Sequence, residues 1–258
     1  MWGAWVWLVG GEGRKRVGLA HAGTRALVRR GWSRRRTDLI GLFVGLAVFV
    51  AAAAVAAQGL VAGEKVLFVA VNSLPNALYY LIWPFMQYGV FLTIPVLIVI
   101  ALTLRRVRLA AAMAIAGIGV YLLARIVKEL VKRGRPEALI GDIEAREIFA
   151  EGSLGFPSGH VAVAAALTVV VTPHLRGRWR AVLAALVVIV GMGRMYVGAH
   201  TPLDVVGGAA LGVSAGCIAN LLIGVPAPDP ESPDVSGERP HLPPVSEGND
   251  ERPQQDVH

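Results

Sequence analysis

Three short polar clusters interrupt an otherwise apolar stretch of chain: Lys128-x6-Arg135-Pro136, Pro157-Ser158-Gly159-His160 and Gly193-Arg194-x5-His200-x3-Asp204. Each stands at the end of a hydrophobic run, so three cations, two histidines and a carboxylate are gathered where a membrane meets water. Cations and helix-end N–H groups together attract negative charge. The chemistry implied is the binding of an anion.

Each cluster also has a plainer reading. Lys128 and Arg135 are seven residues apart, which on a continuing helix leaves them about 20° out of register and on one face. Pro136 disfavours helix at Arg135, so a turn is expected there. Taken alone, Lys128 could simply snorkel to the interface and bond helix-end carbonyls. Ser158 and Gly159 open a helix whose first N–H groups point outward. An ordinary N-cap explains the serine, but not His160, an ionisable group at the edge of an apolar helix. Thr201 makes an N-cap with Pro202 in the first helical position, so Asp204 falls in the third. There it can complete a capping box, or accept a bond from the His200 imidazole four residues earlier and fix which nitrogen is free. Arg194 would cost about 2.5 to 3.5 kcal/mol at mid-bilayer, so it must lie at the boundary or have a partner.

Something long and apolar must hold these clusters. The chain has 258 residues, 55% hydrophobic and 17% charged, with mean hydropathy +0.57; soluble domains carry about a quarter charged residues. A membrane protein is expected. The single Cys217 excludes an intrachain disulfide and thiolate metal clusters. A net charge of +7 sits in blocks between apolar runs, the pattern of membrane orientation and not of nucleic-acid binding.

A span needs about 20 mostly apolar residues. Six stretches qualify, near 39–61, 84–104, 109–127, 160–175, 181–197 and 202–223, predicting an all-α, six-span integral membrane bundle. Arg14, Lys15, Arg16, Arg25, Arg29, Arg30, Arg34, Arg35 and Arg36 precede the first span. Arg105, Arg106 and Arg108 follow the second, and Arg176, Arg178 and Arg180 follow the fourth. With six spans these all lie on one side, which the positive-inside rule makes cytoplasmic. Both termini are then cytoplasmic in a multi-pass protein of the plasma (inner) membrane, and all three clusters face outside. The loop between spans three and four carries cations against that rule. Among them, Lys132, Arg133 and Arg146 are read as solvated charges.

Outside the span domain (38–225), residues 1–37 form a basic cytoplasmic segment whose apolar Met1–Val9 reads as an interfacial helix. Residues 226–258, rich in Pro, Asp, Glu, Ser and Gly, read as a disordered cytoplasmic tail. The mixed segment 64–83 suits the interface better than a crossing. Gly208, Gly212 and Gly216 form a small-residue stripe for close helix approach, read as core packing, with monomer and homodimer both open.

The three clusters resemble the signature of the type 2 phosphatidate phosphatase superfamily of integral membrane lipid phosphatases, which shares its site with class A acid phosphatases and vanadium haloperoxidases. Lys-x6-Arg-Pro, Pro-Ser-Gly-His and Ser-Arg-x5-His-x3-Asp are matched in order from Lys128 to Asp204. One position departs, Gly193 where the family has serine, removing a possible phosphate contact. The resemblance implies phosphoryl transfer through a phosphohistidine on His200, with Asp204 behind it and His160 as acid and then base. Lys128, Arg135, Ser158, Gly159 and Arg194 would bind phosphate, with no metal or other cofactor.

A site at the interface suits a substrate whose tail stays in the lipid. Polyprenyl diphosphate is favoured, with phosphatidate or phosphatidylglycerol phosphate next. A phosphotransferase passing phosphate from the same histidine to a lipid or sugar is the nearest alternative. A lipid transporter would instead be expected to place its charges near the midplane.

Overall fold

The computed structural model describes residues 31–148 and 152–227. The expected interfacial helix at Met1–Val9, most of the basic segment and the tail beyond 227 lie outside these. The described chain is helical apart from a two-residue ribbon, in which β1 (Trp32–Ser33) pairs antiparallel with β2 (Val225–Pro226). In order come α1 (Arg36–Ala56), α2 (Ala62–Asn72), α3 (Tyr79–Met86), α4 (Thr93–Thr103) and α5 (Val107–Val131). After these follow α6 (Pro136–Ile140), α7 (Gly159–Val171), α8 (Arg178–Tyr196) and α9 (Pro202–Ile223). The ribbon ties residues 32–33 to residues 225–226, just past the end of α9.

Length decides which helices can cross a bilayer. Among the described residues α1, α5, α8 and α9 are long and apolar enough. A fifth crossing results if residues 63–72 and 76–89, bent by 80° to each other, act as one. The sequence reading of 84–104 as one continuous span does not hold. α3 ends at Met86, a 3-10 turn covers Gln87–Gly89, and α4 begins only at Thr93. Two local causes are visible. Gly89 lies against the backbone of His160, where a Cβ would come within 2.9 Å of its carbonyl carbon. Pro95 falls in the first turn of α4, where its missing N–H costs no helical bond. At 11 residues, α4 is only about 16 Å long.

The buried heart is α9 packed between α7, α1 and α5. Its glycine stripe faces inward: a Cβ on Gly208 would meet Ser158 O at 2.5 Å, one on Gly212 Ala165 Cβ at 2.7 Å, and one on Gly216 Val169 Cβ at 2.6 Å. These contacts bear out the core-packing reading of the stripe. Small residues are needed because lipid gives helices no hydrophobic drive to associate, leaving close van der Waals contact to hold them. One turn beyond Gly216, Asn220 donates to Asp38 Oδ1 of α1 at 2.9 Å. Many large apolar side chains of α1, such as Ile40, Phe43 and Val50, point away from the bundle, as lipid-facing residues do.

α5 outruns its expected end, so Lys128 lies in its last turn. The helix stops at Lys132, in the left-handed conformation (φ 52°). The chain therefore turns three residues before Arg135, and Lys128 and Arg135 do not share a helix face. The cause is the following segment: Gly155 N–H bonds Arg133 O at 2.7 Å and Gly134 bridges Leu154, which draws residues 133–134 out of the helix.

Candidate active site

Four helix ends converge. Ser158 N–H, before α7, donates to Asp204 O in the first turn of α9 at 2.9 Å. Lys128 Nζ, at the end of α5, donates to Leu154 O (2.8 Å) and Gly155 O (3.0 Å), just ahead of Ser158. Arg135 donates from Nε to Ser153 Oγ (2.6 Å) and from Nη1 to Ala199 O (2.9 Å), beside His200. Arg194 closes α8; its carbonyl accepts from the N–H groups of Ala199 and His200, a fold-back that needs Gly198 at φ 80°. His160 lies within electrostatic reach of Arg194, His200, Arg135 and Lys128. All eight sequence-selected residues are thus brought to one end of the bundle.

Their electrostatics suit an anion. Burial, and then the neighbouring Arg194 guanidinium, hold Arg135 below its ordinary value, so two cations crowd one another. Ser158 Oγ is fully buried and makes no hydrogen bond among the described residues. Although Ser158 holds the N-cap position, its side chain does not cap, which leaves the hydroxyl to a ligand. A depression of about 380 Å³ lined by Lys128, Glu129, Lys132, Gly152, Ser153 and Leu154 adjoins this group. It excludes both histidines, so it does not by itself define the substrate site.

His200 is 3% exposed. Burial pushes its imidazole down to about 3, against the opposing pull of Asp204 and with help from the charges of Lys128 and Arg194. A neutral ring is what a nucleophile needs. Its Nδ1 stands 3.6 Å from Asp204 Oδ2, longer than a hydrogen bond; such contacts often tighten only when substrate binds. The same Oδ2 accepts Thr201 N–H at 2.9 Å. Asp204 therefore caps α9, as one sequence reading expected, and faces His200 without making the hydrogen bond that the other expected.

A stability prediction follows. The unfolded His200 titrates near 6.5 and the folded one near 3, so in that window the unfolded state binds the extra proton. Its contribution to stability is greatest above pH 6.5 and is lost on acidification, by roughly 1 kcal/mol per pH unit, down to about pH 3. Thermal unfolding in detergent at pH 7, 5.5 and 4.5 should show a shallower decline for His200→Asn than for wild type. Equal slopes would contradict it.

Of the three cations read as solvated, only Lys132 is exposed. Arg133 is 4% exposed and donates to Asp204 Oδ1 (3.0 Å), Thr201 Oγ1 (2.8 Å) and both Glu64 oxygens. Burial alone would lower it, but its bonds to Glu64 and the charge of Asp204 hold it above its ordinary value. Arg146 donates to Asn76 Oδ1 and to the carbonyls of Asn72, Leu74 and Tyr196, and stacks 4.1 Å from the Tyr196 ring. It fastens the long loop onto α2 and α8. Glu147 accepts from Arg194 Nη1 at 2.8 Å, and Asn72 clamps Glu144 from the other side. Sequence spacing could not pair these residues, since their partners lie 47 to 74 positions away. The visible hint was Glu64, an acid set between apolar runs.

At Gly193 the space a side chain would take is filled: a Cβ would meet Met86 Cγ at 2.7 Å and Ile82 Cγ2 at 2.9 Å. Gly193→Ser should therefore cost about 1–3 kcal/mol. In a Met86→Ala background the same serine should cost less, with only the Ile82 contact left to relieve. Melting temperatures of the four proteins test this, and a serine penalty equal in both backgrounds would refute it.

A bundle of apolar helices with basic, histidine-bearing ends defines a multi-pass helical membrane protein. Residues 105–224 match the family model described as PAP2 superfamily, and the stretch bearing all three clusters belongs to that superfamily. Two crystal structures share the fold. Aquifex aeolicus LpxE is 24% identical with TM-score 0.57, covering 62% of this chain and 95% of its own. The first transmembrane PAP2 type phosphatidylglycerolphosphate phosphatase from Bacillus subtilis is 22% identical with TM-score 0.56, covering 72% and 95%. No curated protein matches the sequence significantly.

Proposed function

We propose that this protein is a membrane lipid phosphatase working through a phosphohistidine without a metal. The observation that carries this reading is the convergence of Lys128, Arg135, Ser158, His160, Arg194, His200 and Asp204 on one end of the bundle, around a buried imidazole backed by a carboxylate. His200 Nε2 attacks phosphorus as the bond from phosphorus to the lipid oxygen breaks, and His160 gives that oxygen its proton. Water then attacks the phosphohistidine, passing a proton to His160 as the N–P bond breaks and phosphate leaves. Lys128, Arg135, Arg194, Ser158 and the Gly159 N–H hold the equatorial oxygens, supplying charge that a metal supplies in other phosphatases.

The substrate we favour is a polyprenyl diphosphate, followed by phosphatidate or phosphatidylglycerol phosphate, the last being the lipid for which the Bacillus neighbour is named. The favoured topology has six spans, both termini cytoplasmic and the site facing outside. The test is a panel of lipid phosphates and diphosphates, assayed with full-length protein in detergent with EDTA. Phosphate release from at least one substrate is expected. Activity appearing only on adding metal would overturn the mechanism.

A further inference from the structure

Behind His200 lies a charge cluster that the phosphate-binding residues do not include. Asp204 presents Oδ2 to the histidine and to Thr201 N–H, and Oδ1 to Arg133 Nη1 at 3.0 Å. The Arg133 guanidinium also donates to Thr201 Oγ1 (2.8 Å), to Gly59 O (3.1 Å), and from Nη1 and Nη2 to Glu64 Oε1 (3.0 Å) and Oε2 (2.6 Å). Glu64 accepts in addition the Leu203 N–H at 3.0 Å, in the first turn of α9. All three charged side chains are at most 3% exposed.

Two carboxylates and one guanidinium leave a single negative charge. A histidine that attacks phosphorus becomes cationic as the bond forms, and one buried negative charge beside it stabilises that change. Without Glu64, Arg133 would neutralise Asp204 and the histidine would face no net charge. Without Arg133, two carboxylates would be buried together and one would take up a proton.

We infer that Arg133, held by Glu64, is a positioning residue for this reaction: it aims Asp204 at His200 and, with Glu64, sets the charge felt by the attacking imidazole. The inference rests on the phosphohistidine reading above. Neither residue touches the substrate, so both act on kcat and not on KM.

The test is a double-mutant cycle on the full chain in detergent, using the best lipid phosphate from the panel, with wild type and His200→Ala alongside. Arg133→Met should lower kcat about 100-fold or more with KM changed less than threefold, and Arg133→Lys should recover part of the loss. Glu64→Gln should lower kcat about tenfold or more. The double variant, which leaves Asp204 alone and charged, should be at least tenfold more active than Arg133→Met. Losses that multiply in the double variant, or that appear in KM, would overturn the inference and mark the cluster as merely structural. Should Arg133→Met not fold, Glu64→Gln decides alone, and an unchanged kcat there overturns the proposal. An inactive wild type or an active His200→Ala would instead sink the phosphohistidine reading itself, and this inference with it.

Discussion

His200→Ala should abolish phosphate release, by about 10⁴-fold or more, while the protein stays folded and still binds lipid phosphate. The size follows from the site's construction. His200 is the buried ring next to a carboxylate at the meeting point of the three clusters, and the Lys128, Arg135 and Arg194 cations around it can hold an anion but cannot attack one. Removing the ring therefore removes the covalent route and leaves electrostatic binding intact. Phosphate release at saturating substrate measures the loss, and co-sedimentation with substrate-bearing micelles measures the retained binding. Acid quenching during turnover should also trap acid-labile phosphate on the wild-type chain only. Turnover of His200→Ala within tenfold of wild type would rule out this histidine as nucleophile.

The second large effect concerns packing. Gly212→Val would drive a side chain from α9 into α7, where its Cβ would meet Ala165 Cβ at 2.7 Å and Ala166 N at 3.0 Å. These are backbone and first side-chain atoms that no rotamer change can move. α7 cannot retreat easily, because its residues from Val161 to Leu167 are all buried. The expected cost is about 3 kcal/mol or more, read as a marked fall in melting temperature or as failure to accumulate in the membrane. Activity should fall further than stability, since the first turn of α7 carries Gly159 and His160. Gly119→Ala is the contrasting case. Its Cβ would meet nothing within 4 Å, and alanine favours helix over glycine, so its stability should be unchanged or raised by up to about 1 kcal/mol. A Gly212→Val protein as stable as wild type would contradict the packing described.

Much of the architecture is legible in the sequence because membrane helices announce themselves by length and composition. The four long helices fall where apolar runs were expected, and the starts of α7 and α9 follow from Ser158, Thr201 and Pro202. What is not legible is how a shorter apolar run is divided. Residues 84–104 read as one span, yet a close approach between Gly89 and His160 breaks it. Helix ends fared similarly: Pro136 predicts a turn at Arg135, while pairing of residues 133–134 with 154–155 places it at Lys132.

The sequence by itself determined which residues make up the candidate anion site. Lys128, Arg135, Ser158, His160, Arg194, His200 and Asp204 are the groups whose burial at the ends of apolar helices would otherwise be too costly, and local rules of capping and charge single them out. Only the tertiary structure decided what stands behind them. Arg133 looks like one more solvated cation until Glu64, from 69 positions away, and Asp204 are folded onto it. A charge can be buried only with its partner, and partners so distant in the chain meet only once the helices have packed.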